Sequence, residues 1–244
     1  MLPARGGNHT LLNHNSQVPT DPMGVMARLL VVGGSGFIGR AICRQAVNEG
    51  HAVRSVSRGG RPEDLGVTDR WADSVEWTSA DLFAPHAWRD RLRGVDAVVH
   101  SVGIAHENPQ EGVTFERVNG DSAILTALEA ERAGVDSFVF LSSAANYPTA
   151  RRAYLRSKRR AERAIEDLNL ETVVLRPGPV YGPDQPHFPR PLNWLCSVVD
   201  EIELVAGQLG ESRPLSVDRV GRAALDSALD PADRLLTVEA IQSV

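Results

Sequence analysis

Tyr154 and Lys158 stand four residues apart in the stretch ARRAYLRSKRRAERAI (150–165). On a helix, side chains at this spacing share one face. A free tyrosine phenol titrates near pH 10, too high for a base near neutrality, and an adjacent ammonium lowers it. The lysine itself is conspicuous. Of 26 Lys plus Arg, 25 are arginine and Lys158 is the single lysine. A lysine placed at random among the basic positions would fall here one time in 26. An ammonium is a compact point charge, whereas a guanidinium is a wide planar fork. The position therefore demands the smaller cation.

A second constellation lies near the start. In RLLVVGGSGFIGR (28–40), Gly33, Gly36 and Gly39 are spaced by three, directly after an apolar run and at the head of a helical pattern. Gly34, Gly36 and Gly39 also satisfy G-x-G-x-x-G. Small residues there let the backbone turn tightly and approach a pyrophosphate at the positive end of the helix. An NAD site carries an acid about 20 residues on, for the adenosine ribose hydroxyls. Here the second strand ends in SVSRGGR (55–61), with Ser57, Arg58 and Arg61 and no acid. A hydroxyl and a bidentate cation suit a 2′-phosphate, so NADP(H) is favoured over NAD(H). Asp81 in TSADL follows the third strand and either accepts from the adenine amine or caps its own turn.

These groups need a scaffold. Apolar runs at 28–34, 52–57, 75–82, 95–103, 137–143 and 171–178 read as strands, and helical patterns fall at 36–50, 112–134, 150–168 and 217–229. Alternation of this kind predicts right-handed βαβ units and an α/β, doubly wound parallel sheet, a Rossmann fold. Three segments are expected: a flexible leader at 1–25, a dinucleotide-binding domain at 26–180, and a small C-terminal substrate lobe at 181–244. The leader lacks both a signal-peptide core and a transit-peptide pattern.

Composition narrows the class. Hydrophobic content of 42% and charged content of 23% are ordinary for a globular protein, and the net charge of −5 argues against nucleic-acid binding. Cys43 and Cys196 form no disulfide framework, and no metal-ligand spacing appears, so no metal is expected. No apolar run reaches membrane-span length. The expected setting is cytoplasmic.

Together these residues resemble the short-chain dehydrogenase/reductase superfamily, in its extended or atypical branch that includes epimerase/dehydratase-like proteins. The resemblance runs from Arg28 onward, through GGSGFIG (33–39), SADL (79–82), VVHSVG (98–103), Asn119, VFLSS (139–143), Tyr154-x-x-x-Lys158, LRPGPVYGP (175–183) and RPLSVDRVGRAAL (213–225). Within it, SVSRGG, VEWTSADLF and VVHSVGI look similar to a group that includes a mitochondrial coenzyme Q biosynthesis accessory protein and the NAD(P)H-binding accessory subunit of respiratory complex I. The resemblance implies a catalytic set of Ser143, Tyr154 and Lys158. Tyr154 would be the proton donor or acceptor at a substrate carbonyl, Ser143 would bind the substrate oxygen, and Lys158 would hold the ribose and tune Tyr154. It implies cofactor contacts from Gly33, Ser35, Gly36, Phe37, Ile38, Gly39, Ser57, Arg58, Asp81, Leu82, Val102, Gly103, Lys158, Pro177 and Val180.

The function expected from this is an NADP(H)-dependent oxidoreductase acting on a carbonyl or alcohol of a small molecule, with a hydrophobic, quinone-like substrate in view. The alternative is a cofactor-binding accessory or assembly protein of quinone or respiratory metabolism without turnover. A sugar-nucleotide epimerase or dehydratase ranks third, because HSVG departs from the frequent HLAA and the segment before RPLSV is short. The assembly is a monomer or homodimer. The six arginines around Lys158 offer either a solvated helix face, helped by Glu162 and Glu166, or a peripheral contact with an anionic lipid surface.

Overall fold

The computed structural model describes residues 26–145 and 152–244. The leader at 1–25 and the segment 146–151 lie outside the described residues.

Seven parallel strands form the central sheet: β1 (Arg28–Val32), β2 (Ala52–Ser57), β3 (Val75–Ser79), β4 (Ala97–His100), β5 (Ser137–Leu141), β6 (Glu171–Leu175) and β9 (Leu235–Leu236), in the order β3-β2-β1-β4-β5-β6-β9. Apolar runs such as LLVV and FVFL have no polar face because both sides of a parallel sheet are covered. On one side α1 (Phe37–Asn48) and α6 (Val217–Leu229) enclose a core that includes Leu29, Val31, Ile42, Val139 and Leu225. On the other, α2 (Ser122–Ala133) and α3 (Arg152–Glu166) pack over Leu30, Val98, Phe138, Phe140 and Ile165. Strand order reverses between β1 and β4, which share an edge in the register Val32↔His100. The crevice beyond the carboxyl ends at such a switch point is where open α/β sheets hold ligands.

The helix expected at 112–134 is not one regular element. Residues Glu116–Asp121 are π-helical, and α2 becomes regular only from Ser122. The buried Asn119 amide accepts from the Ile104 N–H at 2.7 Å and donates to the Ile104 carbonyl at 3.1 Å. Ser122 donates back to the Val118 carbonyl at 2.6 Å. The Ser122 bond competes with the regular ladder, and the Asn119 bonds tie this turn to the β4 end.

Within residues 181–244, β7 (Val180–Tyr181) pairs in parallel with β8 (Leu215–Ser216). Between them run α4 (Arg190–Glu201) and α5 (Glu203–Ala206), neither anticipated from sequence. α4 is polar inward. The Asn193 side chain bonds both backbone groups of Gly182, and Asp200 accepts from Tyr181 at 2.9 Å and pairs with Arg213 at 3.3 Å. Its outer face carries Trp194, 67% exposed, and the next helix carries Leu204, 80% exposed. A period search expects the reverse pattern. The chain then returns to the main sheet through α6, β9 and α7 (Val238–Gln242), with Leu236 beside Leu175 of β6.

Candidate functional site

The glycine loop is built by close backbone packing. Gly33 adopts φ +90°, a left-handed conformation that a side chain resists, and a Cβ there would lie 2.9 Å from Val102 Cγ2. Gly36 donates to the Gly33 carbonyl at 2.9 Å and is exposed at the head of α1. At Gly39 a Cβ would come within 2.2 Å of the Gly33 oxygen, so only glycine lets the helix sit this close to the turn. The first turn of α1 has no acidic residue and receives no side-chain cap at Gly36. The unsatisfied N–H groups of Phe37 and Ile38 and the helix dipole then favour an anion beside Gly36. A dinucleotide pyrophosphate fits this cradle.

The chemistry-bearing side chains converge at the ends of β4 and β5. Lys158 is only 3% exposed and donates to the Leu141 carbonyl at 2.8 Å, with the Phe140 ring 4.8 Å away. Burial brings its pKa down to about 7, opposed by the negative charge of Glu162. A Cβ at Gly103 would stand 3.6 Å from Lys158 Nζ and 3.5 Å from Asn119 Oδ1, which places the β4 end directly against both. Tyr154, one turn earlier on α3, meets the Phe115 ring edge to face at 5.5 Å. Ser143 follows β5, its carbonyl accepting from Arg159 at 2.8 Å. The Ser142 hydroxyl donates to Glu162 in the interior, and the Ser143 hydroxyl, also buried, donates to the Ala144 carbonyl at 3.1 Å. Pro177 is buried at the β6 end, where its carbonyl accepts from the Ala144 N–H at 2.8 Å. Val180 begins β7 beside Leu215.

Several candidates on the adenosine side are engaged within the chain. Ser57 is buried and donates its hydroxyl to the Gly60 carbonyl at 3.1 Å, so it shapes the loop and does not present a donor outward. Asp81 accepts from the Phe83 N–H at 3.0 Å, the turn-cap arrangement, and Leu82 is buried in the core. Arg61 is paired with Asp73 at 2.7 Å. Arg58 is exposed, and among the described residues no ion pair engages its guanidinium. Ser35, Gly36 and Phe37 also border a groove of about 390 Å³ that runs past Arg40 and Arg44 without including Tyr154 or Lys158.

Two neighbours of the site, Asn119 and His100, have no role assigned from sequence, and a third, Glu162, expected on a solvated helix face, is buried. Asn119 stood out only as a motif residue, yet its side chain reaches the Gly103–Ile104 turn. His100 is fully buried, with Nε2 3.0 Å from Ser122 Oγ. Burial and the Lys158 charge lower its pKa to about 3, which keeps the imidazole neutral. Glu162 sits one turn beyond Lys158, a spacing that could have flagged it. The basic face of α3 is neutralised in part: Arg160 pairs with Glu116 at 2.9 Å and with Asp121, and Arg159 turns inward to Glu162 at 2.6 Å.

A parallel sheet with a glycine turn at its switch point and a Tyr–Lys helix alongside defines a dinucleotide-binding Rossmann protein. The chain belongs to the NAD dependent epimerase/dehydratase family, whose model matches residues 29–204, and so to the extended short-chain dehydrogenase/reductase group. It is 30% identical over 201 residues to MIOREX complex component 2 of Saccharomyces cerevisiae, covering 63% of this chain and 73% of that protein. It is 34% identical over 170 residues to the ceramide reductase of Caulobacter vibrioides, covering 67% of this chain but 49% of that protein. Among solved structures, MoeE5 in complex with UDP-glucose and NAD superposes with a TM-score of 0.62 at 22% identity, covering 89% of this chain and 80% of that one. No helix among the described residues is long and apolar enough to cross a membrane.

Proposed function

We propose that this protein is an NADP(H)-dependent oxidoreductase acting on the carbonyl or alcohol of a hydrophobic small molecule. The observation that carries the reading is the chain's single lysine, buried at the β4–β5 ends one turn from Tyr154. Burying an ammonium is costly, and a buried titratable group with a strongly perturbed pKa beside a crevice marks a candidate functional site. A bound nicotinamide supplies or accepts hydride. The chain's own residues do the rest. The glycine loop holds the pyrophosphate and Lys158 donates to the ribose. Ser143 orients the substrate oxygen, and Tyr154 gives it a proton on reduction or takes one on oxidation. The similarity to a ceramide reductase supports an aliphatic or quinone-like substrate.

Arg58 carries the cofactor preference in this reading. A charge-assisted, bidentate contact to a 2′-phosphate contributes roughly 1.5–3 kcal/mol. NADPH should therefore bind more tightly than NADH. The Arg58→Ala protein should lose that margin while keeping NADH affinity, as read by fluorescence titration. Equal affinities in the unaltered protein would refute the preference.

The second reading, an accessory protein that binds the cofactor without turnover, is favoured by the similarity to a MIOREX complex component. Tyr154→Phe separates the two. It removes one hydroxyl and keeps the ring that packs on Phe115. An enzyme loses turnover by 10²-fold or more, the order of a positioned proton transfer, while NADPH binding persists. An accessory protein keeps its cellular function. Oxidation of supplied NADPH, followed with long-chain carbonyl compounds and quinones, is the assay.

A further inference from the structure

We propose that Glu162 is the positioning residue of this site, fixing the frame in which Lys158 meets the strand ends and supplying its counter-charge. Three segments facing the same crevice converge on this one carboxylate, whose side chain is 8% exposed. Oε1 accepts from Arg159 at 2.6 Å, from Arg176 Nε at 3.1 Å and from the Ser142 hydroxyl, and Oε2 accepts from Arg176 Nη2 at 2.6 Å. Arg159 extends the frame to the Ser143 carbonyl at 2.8 Å and the Ser142 hydroxyl at 3.1 Å. Arg176 immediately precedes Pro177, Ser142 precedes Ser143, and Glu162 lies one helical turn past Lys158. A single side chain thus ties the ends of β5 and β6 to α3.

Stability alone does not account for such a cluster. Replacing buried ion pairs with packed apolar residues is often neutral or favourable. What an apolar core could not supply is the field. Lys158 faces Glu162 and Tyr154 from its own helix and the neutral His100 from β4, while Arg159 and Arg176 add positive charge through Glu162. Glu162 is then the negative group that keeps the buried ammonium charged near neutrality. The consequence for cofactor binding rests on the reading of Lys158 as the ribose ligand. The electrostatic role does not, and it can be read without any cofactor.

Because Lys158 is the single lysine, protein grown on ¹³Cε-lysine gives one side-chain resonance whose pH titration belongs to this residue. Its midpoint in the unaltered protein should lie near neutrality. Glu162→Gln should move it down by roughly one pH unit, the size of a lost neighbouring charge. Glu162→Asp, which keeps the charge, should return it toward the starting value. Arg176→Gln removes a cation and should move it up. A merely structural cluster would lower the melting temperature of all three variants and leave the midpoints together. Unchanged midpoints, or Glu162→Gln and Arg176→Gln shifting in the same direction, would overturn the proposal. If Glu162→Gln does not fold, Arg176→Gln decides by itself: an upward shift supports the role and no shift refutes it. NADPH titration of the same samples judges the cofactor reading separately, since failure of the unaltered protein to bind defeats that reading while the lysine titration still tests Glu162.

Discussion

Lys158→Arg is expected to lose cofactor binding, to lower turnover by 10²-fold or more, and to destabilise the fold, although the same exchange is neutral at most surfaces. The lysine side chain is 3% exposed and ends against the Leu141 carbonyl, the Phe140 ring and the Gly103 backbone. A guanidinium is broader than that slot, and overfilling a packed site costs about 1–3 kcal/mol. For a chain of this size that is a fall of several degrees in Tm, at about 2–4 °C per kcal/mol. Charge adds a second effect, because arginine cannot shed its proton. Lysine here titrates at about 7 when folded, against 10.5 as the ordinary value. Between those values the unfolded chain binds a proton that the folded chain does not. Stability of the unaltered protein therefore rises with pH across that window, and below pH 7 the penalty of the buried charge is present in full. The arginine variant should lack this rise. Thermal melts from pH 6 to 10, with NADPH titration at neutral pH, test both points. Unchanged melting and affinity would show that Lys158 is an ordinary surface-type charge.

Gly39→Ala should be the most damaging single-methyl change in the glycine loop. The added carbon would stand 2.2 Å from the Gly33 oxygen, 2.7 Å from Gly34 Cα and 2.8 Å from the Gly33 carbonyl carbon. All three are backbone atoms, so no rotamer change relieves the contact, and α1 would have to lift from the β1 turn. The expected loss is about 3 kcal/mol or more, at the upper end of overpacking, together with all nucleotide binding. Gly36→Ala provides the contrast. Its nearest contact would be the Gly33 oxygen at 3.2 Å, which a small adjustment accommodates. That variant should melt within a few degrees of the unaltered protein yet bind NADPH far more weakly, because the methyl group projects where the pyrophosphate approaches. Chemical denaturation and nucleotide titration distinguish the two, and equal stability losses at both positions would contradict the packing argument.

Features set by short-range periodicity were legible in the chain itself. The glycine spacing at 33, 36 and 39, the apolar runs of the parallel strands, and the Tyr154–Lys158 pair on one helix face all depend on distances within a few residues. Helix and strand geometry impose those distances wherever such sequences fold. The alternation of strands and helices pointed to a doubly wound parallel sheet, while its strand order and the switch point between β1 and β4 come from the tertiary structure.

What the sequence could not determine depends on groups far apart along the chain. Glu162 reaches Arg176 because β5 and β6 align Leu141 with Leu175, a register that no spacing rule encodes. Asn119 finds Ile104 across the β4 end, within a segment that is π-helical where a regular helix is expected. Ser57 and Arg58 are adjacent residues of a type that suits a phosphate, but the Gly60 turn draws the serine inward and leaves the arginine outside. α4 escaped notice because Asn193 and Asp200 face inward to Gly182, Tyr181 and Arg213 while Leu192, Trp194 and Leu195 face outward, which blurs the pattern that marks a surface helix. Ser57 is decided within its own turn, but for Glu162, Asn119 and α4 the deciding interaction is a hydrogen bond or ion pair between segments apart in sequence. Its partner exists only after the sheet has brought the strand ends together.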